Sequence, residues 1–232
     1  MFDDLRVRQR YATRTELGRA VHQRPTADWL SDAECAELAQ LRHPERREAW
    51  LAGRLLSKQL IAAESGTAES DGRSIEVRSR DVHGKGTRPT ISIGGSLRED
   101  WSLSISHSDT AVFVVLSTAA NLSVGIDLAP MTTYPSGFLK VWFTPREQQQ
   151  VRTAGSRRAA EVWAVKEAVY KASNRGETFA PRRIEVLAGP RGRFLCRNAG
   201  TTTSLSCEIR VKRIGQDIAA IALAKPWETH DD

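Results

Sequence analysis

The sequence predicts an α+β protein built as two similar lobes, a pseudo-duplicated unit. Two observations carry this. Each half of the chain reads as a helix followed by a closing strand hairpin. The 232 residues, 40% of them hydrophobic, suffice for one large core or two small ones. The boundaries expected are a basic arm over 1–25, a first lobe over 26–118 and a second over 119–232, the joint falling in the polar stretch 117–121.

In order along the chain, Met1 to Arg24 carries many arginines mixed with acids and reads as a solvated arm. Ser31 and Glu34 form a capping box ahead of a helical stretch. From about 46 to 63, Trp50, Leu51, Leu55 and Ile61 make an apolar helical stripe, with Arg47, Arg54 and Lys58 among its basic positions. A short strand is expected around 75–77. The segment with Gly84, Gly86 and Pro89 reads as turns. Runs 101–106 and 111–116 then form a hairpin. The second half offers a strand over 123–128, a helical start near Thr144, a long helix over 157–173, and strands over 204–213 and 218–224 around Gly215.

Composition narrows the function classes. No apolar run approaches the roughly 20 residues of a membrane span, and Met1 to Arg24 has no signal-peptide core. Cys35, Cys196 and Cys207 form no C-x-x-C pair, so neither a zinc site nor a disulfide framework is indicated, and reduced thiols suit a cytoplasm. The net charge of +6 and pI of about 9.5 favour anionic partners: nucleic acid, a polyanionic cofactor or an acidic protein. A nucleic-acid binder lacks any recognisable reading motif here.

Three constellations carry chemistry. In Trp101–Ser108, side chains alternate, so His107 leaves the strand flanked by Ser106 and Ser108, able to donate to a phosphate or simply capped in a turn. In Ser123–Leu128, Asp127 alternates with Val124, Ile126 and Leu128 and emerges at the strand's C-terminal end. It suits either a magnesium ligand or an acceptor for turn amides. In Glu161–Lys171, the residues Trp163, Glu167 and Lys171 share one helical stripe, where Glu167 and Lys171 make at least a surface ion pair.

Their order is more specific than any one of them. Ser106-His107-Ser108, Val124-Gly125-Ile126-Asp127 and Trp163-x-x-Lys166-Glu167-x-x-x-Lys171 together resemble the 4′-phosphopantetheinyl transferase superfamily, in its longer, two-lobed monomeric branch. Leu51–Leu56 resembles the family's A-G-R helix. Arg88-Pro89 resembles its basic-proline turn, with Thr87 where glycine is usual. Phe143-Thr144-Pro145-x-Glu147 resembles its F-T-x-x-E segment.

The resemblance implies a pseudo-duplicated fold with the active site in the cleft between lobes. It implies transfer of phosphopantetheine from coenzyme A to a serine of an acidic carrier protein, with Mg²⁺ as cofactor and no nucleic acid or membrane partner. Arg54, Arg80, Arg88, Ser106, His107 and Lys171 would bind coenzyme A. Asp127 and Glu167 would hold the metal, Glu167 would take the serine proton, and Lys171 would stabilise the leaving group. Tyr134, Phe138, Leu139 and Trp142 are expected either to dock a carrier or to fill the core. One position departs from the family: Ala129 stands where a further acid is common. That substitution leaves open a descendant that binds coenzyme A or a carrier protein without transfer.

Overall fold

The structure, a computed structural model, describes residues 6–23, 25–81, 84–173, 178–189, 194–199 and 206–225. It divides the chain into two units, Met1–Ala120 and Asn121–Asp232.

In the first unit, β1 (Arg8–Thr13) runs into α1 (Arg14–His22). A 3₁₀ turn (Thr26–Asp28), α2 (Asp32–Ala39) and α3 (Pro44–Ser65) follow. After a second 3₁₀ segment (Glu69–Ser74) come β2 (Ile75–Arg80), β3 (Gly86–Ile93), β4 (Ser96–Leu97), β5 (Ser102–His107) and β6 (Ala111–Ser117). One sheet has the order β1-β6-β5 and the other β2-β3-β4, with every pairing antiparallel. The stripe on α3 packs Leu51, Leu55, Leu56 and Ile61 into a core with Trp29, Val112, Val114 and Leu116. Each such side chain contributes about 1.5–3 kcal/mol on burial.

The arm expected over 1–25 is corrected from Arg8 onward; residues 1–5 and 24 lie outside the described residues. β1 pairs along its whole length with β6, from Arg8 opposite Leu116 to Thr13 opposite Ala111. A capping box of Thr13 and Glu16 starts α1, whose Leu17 and Val21 are buried. Interleaved arginines concealed these few apolar residues. The segment read as turns around Pro89 is β3. It tolerates its proline because the ladder with β2 is irregular there, passing from Arg78–Thr90 directly to Arg80–Gly86.

The second unit has β7 (Ser123–Pro130), α4 (Ser136–Trp142), α5 (Pro145–Ser173), a 3₁₀ turn (Pro181–Arg183), β8 (Ile184–Ala188), β9 (Phe194–Asn198), β10 (Cys207–Ile214) and β11 (Asp217–Ala224). Its sheets run β10-β11-β7 and β8-β9. Residues 204 and 205, expected in the penultimate strand, lie outside the described residues. α5 is broken at Gly155, whose φ of 76° and ψ of −165° are glycine values. The start expected near Thr144 and the helix expected from 157 are therefore two pieces of one bent element.

Each unit is pinned by a buried lysine–glutamate pair. In the first, Glu34 receives the amides of Ser31 (2.9 Å) and Val77 (3.0 Å). Lys58 Nζ meets Glu34 at 2.5 Å and donates to the carbonyls of Trp29 and Gly72 at 2.9 and 2.8 Å. In the second, Glu147 receives the amides of Thr144 and Val186, both at 2.7 Å. Lys166 Nζ meets Glu147 at 2.7 Å and donates to the carbonyls of Trp142 (3.2 Å) and Pro181 (2.9 Å). Burial holds both ammonium groups below the usual lysine range, partly offset by their glutamates. No described helix is long and apolar enough to cross a membrane.

Candidate active site

Gly125 sets the geometry of the second unit's polar cluster. A Cβ there would lie 2.0 Å from the carbonyl oxygen of Ala168 and 2.6 Å from the amide of Ala172. Only glycine lets α5 approach β7 so closely. Small residues on the helix face, including Ala164, Ala168 and Ala172, complete the fit and are all buried. The approach brings Lys171 Nζ to the Ile126 carbonyl at 3.2 Å and to Asp127 Oδ1 at 2.7 Å. Glu167 Oε2 lies 3.8 Å from the same ammonium. Asp127, Glu167 and Lys171 are thus one cluster.

The electrostatics follow from two carboxylates sharing one ammonium. Burial raises the Glu167 carboxyl above its ordinary range; Lys171 opposes this and Asp127 adds to it. For Lys171, burial lowers the ammonium, but Asp127 and Glu167 more than offset it and hold it above its usual value. The donor set fits a hard divalent cation. It holds two carboxylates beside one ammonium, and magnesium takes one or two carboxylates plus substrate phosphates. Among the described residues no group of three or more His, Cys, Asp or Glu side chains could hold a metal. Ala129 is fully buried among apolar side chains, so no third acid completes the set.

One expectation is corrected here. Asp127 does not sit at the end of a strand. β7 continues to Pro130, because β11 pairs with it as far as Asp217. Asp127 is mid-strand, opposite Ala220, and 6% exposed.

The first-unit residues fall into two groups. Arg54 is 2% exposed, and its guanidinium donates to Glu37 (3.0 Å) and Ser79 (2.6 Å) and lies 4.4 Å from the Trp50 ring centroid. Arg54, expected at a phosphate, here ties α3 to α2 and β2. Arg80 donates to the Gly84 carbonyl at 2.6 Å, and Arg88 to Ser102 Oγ at 2.5 Å. Burial lowers the Arg88 guanidinium from its usual range. Ser106 is buried and His107 exposed at the end of β5, opposite Val112.

The aromatics past β7 are mostly packed. Phe138 lies 4.8 Å from Trp163 and 5.3 Å from Tyr134, while Trp142 keeps 37% of its surface exposed. Tyr134 and Asp217 were not anticipated near the cluster. Burial raises the Tyr134 phenol, and the Asp127 and Asp217 carboxylates raise it further. Its hydroxyl donates to the Pro130 carbonyl at 3.0 Å. No sequence spacing links these residues; the β7–β11 register does.

Residues 123–224 match the 4′-phosphopantetheinyl transferase superfamily. This stretch contains the whole Asp127–Glu167–Lys171 cluster. Solved structures similar to the chain include an ACPS–CoA complex described from Chronobacterium ammoniagenes (21% identity, 46% of this chain, 98% of that one, TM-score 0.39). Another is the Mycobacterium tuberculosis acyl carrier protein synthase (30% identity, 45% of this chain, 97% of that one, TM-score 0.34). A third is the Thermotoga maritima holo-[acyl-carrier-protein] synthase (19% identity, 45% and 64%, TM-score 0.36). No curated protein matches the chain. The match places the second unit, over residues 123–224, in the 4′-phosphopantetheinyl transferase superfamily, a family of transferases.

Proposed function

We propose that the protein transfers the 4′-phosphopantetheine group of coenzyme A to a serine of an acidic acyl or peptidyl carrier protein, releasing 3′,5′-ADP. The observation that supports this reading is the Asp127–Lys171–Glu167 cluster inside the family-matched segment. Glu167 accepts the proton of the carrier serine as its Oγ attacks the β-phosphorus. A carboxyl raised by burial is a better proton acceptor than an ordinary one. The new P–O bond forms as the bond to 3′,5′-ADP breaks, and Lys171 neutralises charge on the departing oxygen. Asp127 positions Lys171 through their 2.7 Å contact. Asp127 and Glu167 would hold Mg²⁺, which when bound supplies Lewis-acid stabilisation of the pyrophosphate. For the phosphates of coenzyme A the reading draws on Arg54, Arg80, Arg88, Ser106 and His107. The protein works as a monomer in the cytoplasm.

A second reading is favoured by Ala129: a descendant that binds coenzyme A or a carrier without transfer. One experiment separates the two. An apo-carrier panel is incubated with enzyme, Mg²⁺ and coenzyme A and weighed by mass spectrometry. Transfer adds the mass of the phosphopantetheine arm. Glu167→Gln lowers the rate by about 10²–10⁴-fold with the melting temperature unchanged, and chelation of the metal stops the reaction. No mass gain on any carrier supports the second reading.

A further inference from the structure

We propose that Lys171 is an exchangeable counter-cation for Asp127 and Glu167. A divalent metal then binds these carboxylates well only together with a phosphate ligand that draws the lysine away. This exchange rests on the metal assignment above and adds an order to it: metal and phosphate enter together.

Three lysines on α3 and α5 sit against carboxylates, and they are not held alike. Lys58 donates to the carbonyls of Trp29, Gly72 and Ile75, and its side chain is 5% exposed. Lys166 donates to those of Trp142 and Pro181, and its side chain is fully buried. Neither ammonium can leave without stranding buried backbone oxygens. Lys171 has a different shell. It donates to the Ile126 carbonyl at 3.2 Å and meets Asp127 at 2.7 Å and Glu167 at 3.8 Å. It stands in the last turn of α5 and keeps 28% of its side chain exposed. A four-carbon stem with that much open surface can turn by rotamer changes while the helix stays in place.

The two carboxylates set what this lysine does. They hold its ammonium above the usual lysine range although burial opposes them, whereas Lys58 and Lys166 stay below it. The groups that grip the ammonium are thus the ones that would ligate the metal. Within these three side chains, a dication beside the ammonium places three positive charges against two negative ones. At such short range, and where burial limits screening, like charges repel strongly. Ala129, buried among apolar side chains, adds no acid to relieve this. The Tyr134 phenol, raised in part by Asp127, stays neutral. A phosphate ligand does relieve it, giving the metal further oxygens and the displaced ammonium a new acceptor. Asp127 therefore positions Lys171 for the phosphate and releases it on binding. The two ligands stabilise each other, and the linkage runs both ways.

The test is a Mn²⁺ titration of the full chain read by electron paramagnetic resonance, with and without coenzyme A and against protein-free blanks. Without coenzyme A, Lys171→Met should bind Mn²⁺ at least about tenfold more tightly than the unsubstituted chain. Lys171→Gln, which keeps a donor for the Ile126 carbonyl, should do the same. Lys171→Arg keeps the charge and should bind Mn²⁺ as weakly as the unsubstituted chain. Coenzyme A should tighten Mn²⁺ on the unsubstituted chain by at least about tenfold, and on the neutral variants by less. Equal Mn²⁺ affinities for the unsubstituted chain and both neutral variants overturn the exchange, as does equal tightening by coenzyme A. If the neutral variants bind Mn²⁺ more tightly and no carrier gains mass, the exchange stands and the transferase reading falls. If carriers gain mass and Mn²⁺ binding ignores residue 171, the exchange falls and the transferase reading stands. No Mn²⁺ binding by any variant, with or without coenzyme A, overturns the exchange together with the metal assignment.

Discussion

In the first unit, Lys58 on α3 reaches Glu34 of a Ser31 capping box, and Glu34 reaches the Val77 amide on β2. In the second, Lys166 on α5 reaches Glu147, which bonds Thr144 in the same way and the Val186 amide on β8. The neighbouring strand residue repeats too: Ser31 Oγ donates to Glu76, and Thr144 Oγ1 to Glu185. What surrounds the two knots differs. Counted along the helices from these lysines, Gln59 stands where Glu167 does, and Ala63 where Lys171 does. In the sheets, Arg10 opposite Val114 takes the place of Asp127 opposite Ala220. The framework is repeated; the carboxylates that could hold a metal belong to the second unit alone among these matched positions.

The knots give the largest effect by which to break this comparison. Lys166→Met leaves the buried Glu147 without its cation and should cost about 3–5 kcal/mol; Lys58→Met leaves Glu34 with Arg54 at 3.9 Å and should cost somewhat less. Urea unfolding measures this. If one lysine costs less than about 1 kcal/mol and the other its full amount, the two knots are not equivalent.

Glycines sharpen it next. Gly125→Ala drives a methyl into the α5 backbone and should cost about 1–3 kcal/mol while pushing Lys171 away from Asp127. Gly53→Ala meets only the end of the Ile105 side chain at 3.1 Å. It also gains helix propensity of up to about 1 kcal/mol, so its stability should change little. Melting temperatures and transfer rates of both variants decide the matter. Equal penalties would mean that close helix–strand contact is not special to the second unit.

How much of this was legible in the sequence depended on where the partners lie. α3 and both closing hairpins announce themselves because their periodicity is local. The capping box of Ser31 and Glu34 is local too, but its lysine lies 24 residues from Glu34, on another helix, so the knot was invisible. Arg54 was legible only through the resemblance of Leu51–Leu56 to a family helix, and only the fold brings Glu37 and Ser79 to it. Asp127 looked terminal because alternation ends near Leu128, yet pairing with β11 extends the strand to Pro130. Glu167 and Lys171 were readable as a pair because they are four residues apart.

The smallest effect concerns the residue facing each knot across the second sheet. Glu76 stands opposite Ser92, whereas Glu185 stands opposite Arg197, whose Nε donates to it at 2.7 Å. Burial pushes the Glu185 carboxyl up, but the bonds from Arg197 and Thr144 outweigh it and hold it below its ordinary value of 4.5. A carboxyl lowered on folding adds stability above its unfolded pKa and loses it as pH falls through the folded value. Arg197→Ser, which copies the first unit, should therefore cost about 1 kcal/mol at neutral pH. The penalty should shrink toward zero well below pH 4.5, where both chains carry a neutral Glu185. Urea midpoints for the two chains at neutral and acid pH test this. A loss independent of pH would show that Arg197 stabilises the sheet by packing, and that the two units differ there in shape rather than in charge.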